Sequence, residues 1–470
     1  MCIRDRARSD SSATGSIAGP VTKQKVEAKI KVANGASVKS RENVKVSSMA
    51  GNGVYDINKS LRPSGYEQLS AEEKAKKDRE IGHFVSDGKH KLLVVSSEIR
   101  IDGVITAAKD LDVNSVAENR LVKSSTTMAD LSTGLTLEIL GTATPFNEAV
   151  YYADLKTSSL INIGKDASLS ARQNLSLASV ADIKLEAGTS TSLFNLFNTE
   201  STQKVPSIAA IVALADSSST VNVAGSLKAG KDLTITSADD LTVEASATAA
   251  TKESKAVQTS VLVAKLKGTS DINVESSALL DIVKDAGKVE ISSTQNSSVK
   301  TESSVVVQDG SYGGLAFNYT ELDTHSNVLL NTGFTNEAFE ASVTAKNVTE
   351  DLTIKADNAV GASGMSKLLY DTIGAVSRDF VAGLMGQAGQ GVDSKFDSTK
   401  FKLGGAVGVV LGSQTSSVIV NTPVIEGRSI GLQTAGNLNL SSDALLRDHH
   451  YLVTSKVSSA APEGETSQTK

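Results

Sequence analysis

The residues able to do chemistry are few and poorly placed for it. The 470-residue chain has five histidines and one cysteine. A zinc site built from Cys, alone or with His, and a disulfide framework are both excluded. His449 and His450 are adjacent, after Arg447-Asp448 and before Tyr451. Neighbouring residues on a strand point to opposite faces, so these two cannot easily share a metal, and a solvated turn explains them. His83, His90 and His325 are isolated. Asp239-Asp240 is the carboxylate pair that most invites general acid–base chemistry, which needs donor and acceptor within reach of one substrate. No Gly-His-Gly or Arg-x-Lys pattern accompanies it, and Ser237-Ala238-Asp239-Asp240 has the composition of a turn. The chain has no phosphate-binding loop, Gly-x-Ser-x-Gly elbow, Gly-Gly-x-Gly-x-Asp calcium repeat or Arg-Gly-Asp tripeptide. The sequence names no catalytic residue, no cofactor and no metal site.

Composition agrees with that emptiness. Aromatics are 4% of residues, Trp is absent, and the 40% hydrophobic content comes mostly from Val, Leu, Ile and Ala. Large rings dominate burial in thick cores, so thin uniform layers suit this chain better. Lys and Arg number 47 against 53 Asp and Glu, interspersed without a basic block. That argues against nucleic-acid binding, which needs a basic footprint. No stretch of about 18 apolar residues predicts a transmembrane helix.

The main content is a repeat. Gly225-Ser-Leu-Lys-Ala-Gly-Lys-Asp-Leu-Thr-Ile-Thr-Ser237 matches Gly103-Val-Ile-Thr-Ala-Ala-Lys-Asp-Leu-Asp-Val-Asn-Ser115 at Gly, an aliphatic, Ala, Lys-Asp-Leu, a β-branched residue and Ser. Further copies begin at Ala36, Ala167 and Asp281, and looser ones at Ala341 and Thr422, giving a period near sixty residues. An apolar run, a Ser/Thr-rich turn and an aliphatic-Asn-aliphatic triplet precede several copies, as in Ile208 to Leu214 with Val221-Asn222-Val223. Leu233-Thr-Ile235 and Leu241-Thr-Val243 alternate apolar and polar, the mark of strands with one buried face. Three short strands in about twenty residues predict one coil of a parallel β-solenoid, with three coils per repeat. Some twenty coils would then make a rod of roughly 100 Å. Val, Ile, Leu and Ala would point inward, and Thr, Ser, Lys and Asp outward. An antiparallel sandwich is the alternative, but the Asp-Gly turns it would need are not periodic.

These segments, VNVAGSLKAGKDLTITSADDLTVEASATA and INIGKDASLSARQNLSLAS among them, resemble the repeats of filamentous-haemagglutinin-type exoproteins. The nearest likeness is to the leukotoxin-like filamentous adhesins of Gram-negative anaerobes, over roughly residues 20–456. The resemblance implies an all-β, right-handed parallel β-helix exported by a type V route, either through a separate outer-membrane translocator or as an autotransporter passenger. It places the protein outside the cell or on the surface of a Gram-negative bacterium. The function it implies is that of a non-enzymatic adhesin rod meeting a host-cell or biofilm ligand that the repeats do not specify. The near absence of Cys suits a chain threaded unfolded through a pore, and coils that contact only their neighbours can fold in sequence. Two other functions stay open: a leukotoxin-like membrane-active exoprotein, and a β-helix polysaccharide lyase or hydrolase acting through Asp240.

Two helical insertions interrupt the expected coils. Residues 64–82 hold a capping box, Ser70-Ala-Glu-Glu73, followed by a Lys/Glu-rich helix. A solvated excursion explains it, and a partner-binding knob is the alternative. Residues 365–386 carry Met365, Leu369, Ile373, Val376, Phe380 and Leu384 at spacings of three and four, on one helical face. This stripe either packs on the flank of the rod or contacts a partner or membrane. It lacks the Lys/Arg-rich polar side of an interfacial helix. The expected organisation is then residues 1–6 as a non-native start, 7–63 coils, 64–91 insertion and linker, 92–364 coils, 365–402 amphipathic helix and Gly-rich linker, 403–456 coils, and 457–470 a disordered tail.

Overall fold

The alternation that starts at Leu233-Thr234-Ile235 does not stop at Ser237. It continues to Ala247, and the strand itself runs on to Ser254, 22 residues in all. The computed structural model describes residues 3–7, 21–52, 70, 90–127, 135–139, 142–190, 207–254, 258–282, 287–310, 313–335, 340–360, 403–422, 424–448 and 452–460. Both expected helical insertions fall outside these residues apart from Ser70 and the strand residues His90 and Lys91, and no helix occurs among the described residues.

After β1 (Ile3–Ala7) the described residues wind through seven coils, each made of a broad strand, a short strand and a second broad strand. Coil 1 is β2 (Val21–Val32), β3 (Ser37–Ser40) and β4 (Val44–Asn52); coil 2 is β5 (His90–Ile101), β6 (Val104–Ala107) and β7 (Leu111–Thr127). After β8 (Leu135–Ile139), coil 3 is β9 (Thr142–Ile163), β10 (Ser168–Ala171) and β11 (Leu175–Ser190). Coil 4 is β12 (Ser207–Val223), β13 (Ser226–Ala229) and β14 (Leu233–Ser254), and coil 5 is β15 (Gln258–Val274), β16 (Leu279–Ile282) and β17 (Lys288–Gly310). Coil 6 is β18 (Gly313–Leu330), β19 (Phe334–Thr335) and β20 (Glu340–Val360). Coil 7 is β21 (Leu403–Val420), β22 (Ile425–Glu426) and β23 (Ser429–Asp448), with β24 (Leu452–Ala460) after it.

Like strands of successive coils pair in parallel. The first broad sheet is β2-β5-β9-β12-β15-β18-β21 and the second is β4-β7-β11-β14-β17-β20-β23, with β3-β6-β10-β13-β16 joining them along one narrow side. This is a right-handed parallel β-helix, the hand that parallel crossover connections take. β1, β8 and β24 add antiparallel, to β2, β9 and β23. The last of these carries regular pairing to Ala460, four residues into the expected tail.

Coil size departs from the sequence expectation. One repeat makes one coil, not three, so seven coils stack through about 29 Å, while a strand such as β12 extends about 56 Å. The Ser/Thr-rich stretches taken for turns, at Ser217 to Thr220 and Ser237 to Asp240, are strand interiors. Repeat phase also shifts in two copies. β16 begins at Leu279, ahead of Asp281, and Ala341 lies in a broad strand of a coil that has already turned at Phe334.

The motif's fixed residues form the two turns beside the short strands. At the first, an N–H of each coil reaches a C=O of its neighbour: Gly164 to Ile101 at 2.8 Å, Ala224 to Ile163 at 2.9 Å and Glu275 to Val223 at 2.8 Å. Backbones approach so closely that a Cβ on Gly225 would lie 2.4 Å from Gly164 O, so only glycine fits there. At the second, the Asp of Lys-Asp-Leu makes the joint. Asp110 Oδ1 accepts from Asn174 Nδ2 at 2.9 Å, and Asp232 Oδ1 accepts from the Lys288 N–H at 2.9 Å.

The interior is layered along the strands. Beside the narrow side lies an apolar cluster that includes Ile99, Ile161, Val221 and Ile272 facing Val113, Leu177, Ile235 and Ile291. Towards the far edges a second cluster holds Leu155, Ile183, Leu241, Val243 and Leu262. Between them the lumen is polar, contrary to the expectation that Ser and Thr face water. Ser48, Ser97, Ser115, Ser159 and Ser179 zigzag between the sheets with Oγ–Oγ distances of 2.9 Å. Ser219, Ser237, Ser270, Ser293 and Ser326 continue the column at 2.9–3.0 Å. Most of these hydroxyls also reach the backbone oxygen of the serine before, as Ser237 does to Ser219 O at 3.0 Å. Ser97, Ser115, Ser159, Ser237 and Ser270 each donate to the serine before and accept from the serine after, which meets the demand that buried polar groups be hydrogen-bonded.

Candidate functional site

The pair singled out for acid–base chemistry is divided by the strand that carries it. Because β14 continues through it, Asp239 points into the lumen and Asp240 outward, as the alternation of a strand requires. Asp240 Oδ1 accepts from Asn296 Nδ2 at 2.8 Å on the outer face. Asp239 is fully buried. The two carboxyls face opposite sides of one sheet and cannot address one substrate. The turn proposed for them does not exist.

Asp239 sits in a small polar cage. From the opposite sheet Ser217 Oγ donates to its Oδ1. In the next coil lie Gln295, its partner in register, and Gly268 across the lumen. A Cβ on Gly268 would stand 2.5 Å from Gln295 Nε2 and 2.8 Å from Asp239 Oδ2, so the missing side chain makes the cage's room. Gln295 Nε2 donates to Ser297 Oγ at 2.8 Å and to Asn296 O at 3.1 Å. Burial pushes the Asp239 carboxyl up to about 8, against the lowering pull of Ser217 and Gln295.

A second perturbed carboxyl lies two coils away on the outer side of the second broad sheet. Burial raises Glu118 to about 7; Arg120 opposes the shift and Asp182 adds to it. Arg120 Nη2 bridges Asp182 Oδ2 at 2.8 Å and Glu118 Oε2 at 3.2 Å. Glu118, Asp182, Asp240 and Asn296 share one column in register. With Glu118 only 7% exposed, this column offers a cross-strand ion bridge and not an acid within reach of substrate. Asn222 and Asn273, from the triplets, form another outer rung at 3.0 Å.

The outer face of the first broad sheet has a different character. The apolar runs noted in the sequence put every second residue outside, and register stacks them. Tyr152, Val212, Val263, Tyr319 and Val409 make one row, and Ala210, Val261, Phe317 and Val407 the next. Leu315, Val407 and Leu411 remain 42–50% exposed. Beside this band the charges alternate coil by coil as Lys156, Asp216, Lys267 and Asp323. Such a strip can make repeated shallow contacts, since contiguous apolar surface marks an interaction face.

Of the remaining sequence candidates, Met365, Leu369, Ile373, Val376, Phe380 and Leu384 all lie outside the described residues, as do His83, His449 and His450. His325 Nε2 stands 3.6 Å from Asp271 Oδ2. Among the described residues no group of three His, Cys, Asp or Glu is placed to hold a metal ion, and no helix is long and apolar enough to cross a membrane. Sequence reasoning missed the Asp239 cage and the outer band. The band had a usable signal, since a run apolar at both parities must present one parity outward. No protein-family model, curated protein or solved structure matches the chain.

Proposed function

We propose that this chain is a non-enzymatic rod segment of a filamentous adhesin of the haemagglutinin type, secreted or held on the outer surface of a Gram-negative bacterium. An outer-membrane translocator passes it during export. The observation that carries this reading is the outer band of the first broad sheet, where one kind of residue recurs at one position in coil after coil. Repetition at the coil spacing suits weak multivalent contact, in which many shallow sites add up to firm attachment. A coil stack held by nearest-neighbour bonds also suits vectorial folding on emergence.

Beads coated with the full chain should adhere to epithelial cells or to bacterial biofilm above uncoated beads, and soluble chain should compete. The triple variant Val212→Lys, Val263→Lys, Val409→Lys interrupts one row of the band and should lower attachment several-fold with the fold intact by circular dichroism. Coated beads that attach to neither surface above background would refute the adhesin reading.

A further inference from the structure

Asp239 is the one fully buried carboxyl of the polar lumen whose surroundings are described on every side. Its Oδ1 is held by Ser217. Its Oδ2 rests against the Gln295 amide and the Thr269 N–H without closing a good hydrogen bond to either, and Gln295 Oε1 is likewise buried with no donor. The cage therefore holds two buried acceptors that no donor reaches. A proton on the Asp239 carboxyl is a donor the cage lacks.

Among the described residues the charge that acts on the Asp239 carboxyl is that of Asp240, which raises it further. The charged neighbours are Asp240 on β14 itself, Asp182 on β11, Asp216 on β12 and Lys267 on β15, with Lys156 and Asp323 on β9 and β18 beyond. All alternate with inward residues and so lie on outer faces. The residues beside Gln295 on β17, Thr294 and Asn296, carry no charge. An unpaired buried carboxylate is too costly to keep, so such a group takes up a proton.

We propose that Asp239 is carried as a neutral acid whose proton closes the Ser217–Gln295 cage, making the middle coils an acid-tightened element that loosens as alkali removes the proton. The sign follows from linkage. The folded state holds a proton that the unfolded chain releases above about pH 4, so this contribution to stability is complete below that pH. It is lost progressively up to about pH 8, where the folded group itself titrates, and is level beyond. Glu118 acts in the same direction, up to about pH 7, so the test must subtract it.

The experiment compares the thermal melting of the full chain and of Asp239→Asn, which keeps shape and donor capacity but does not titrate, from pH 4 to pH 9. The melting temperature of the wild type minus that of the variant should fall between pH 4 and pH 8 and then flatten. A difference constant across the range would overturn the proposal. Should Asp239→Asn fail to fold at any pH, infrared spectroscopy of Glu118→Gln, which removes the other raised carboxyl, decides. A neutral-carboxyl C=O band present at pH 6 and lost on titration through pH 8 supports the neutral acid, and its absence at pH 6 refutes it.

Discussion

Leu233 and Ser237 stand four residues apart on the same face of β14, both buried, yet they belong to different kinds of interior. Around Leu233 and Ile235 the lumen is an aliphatic stack in which each layer gains by leaving water. Around Ser237 it is a column of hydroxyls, each bonded to the rung before it and the rung after. The comparison teaches that register, more than hydrophobicity, admits a residue to this interior. An isolated buried hydroxyl would be a defect, but one repeated at the same position in every coil always finds a neighbour.

Three substitutions probe the contrast. The largest effect is expected for Leu233→Asp, which puts a carboxyl among aliphatic side chains with no hydroxyl to meet it. We expect a loss of about 4 kcal/mol or more, seen as failure of the central coils to protect their amides from hydrogen exchange. An Asp tolerated there as Asp239 is tolerated would erase the distinction between the two regions. Ser237→Ala should cost less, about 1 kcal/mol, measured as a lower urea midpoint. It removes one rung, but Ser270 Oγ keeps its second acceptor, Ser237 O, at 2.9 Å. A loss as large as that of Leu233→Asp would mean that the ladder acts as one unit and not rung by rung. The smallest effect is expected for Thr234→Asp on the outer face, within about 0.5 kcal/mol. Equal damage from Thr234→Asp and Leu233→Asp would invert the assigned faces.

The same contrast explains what the sequence disclosed. Gly225, Lys-Asp-Leu and the Leu233/Ile235 alternation are fixed by the turns and the aliphatic stack, so period and parallel architecture could be read from them. Coil size could not. Ser237-Ala-Asp-Asp240 and Ser217 to Thr220 have the composition of turns because polar residues normally seek water. Here the opposite sheet supplies their partners, a long-range fact invisible in one segment. Splitting each strand at its polar middle turned one wide coil into three narrow ones. For the candidate site, Asp239 and Asp240 stood out by type, but their separation across the sheet depends on β14 continuing where a turn was expected. The cage itself needs Ser217 and Gln295, 22 residues before and 56 residues after Asp239, and no local pattern links them.

Asn43, Asp110, Asn174 and Asp232 occupy equivalent positions, and at three joints, Asn43–Asp110, Asp110–Asn174 and Asp232–Lys288, a side-chain oxygen of one coil accepts from the next. A duplication or deletion spliced between such corners keeps the kind of bond that joins coil to coil there. Chemistry sets no preferred number of coils, and such a chain can change its reach by copying alone.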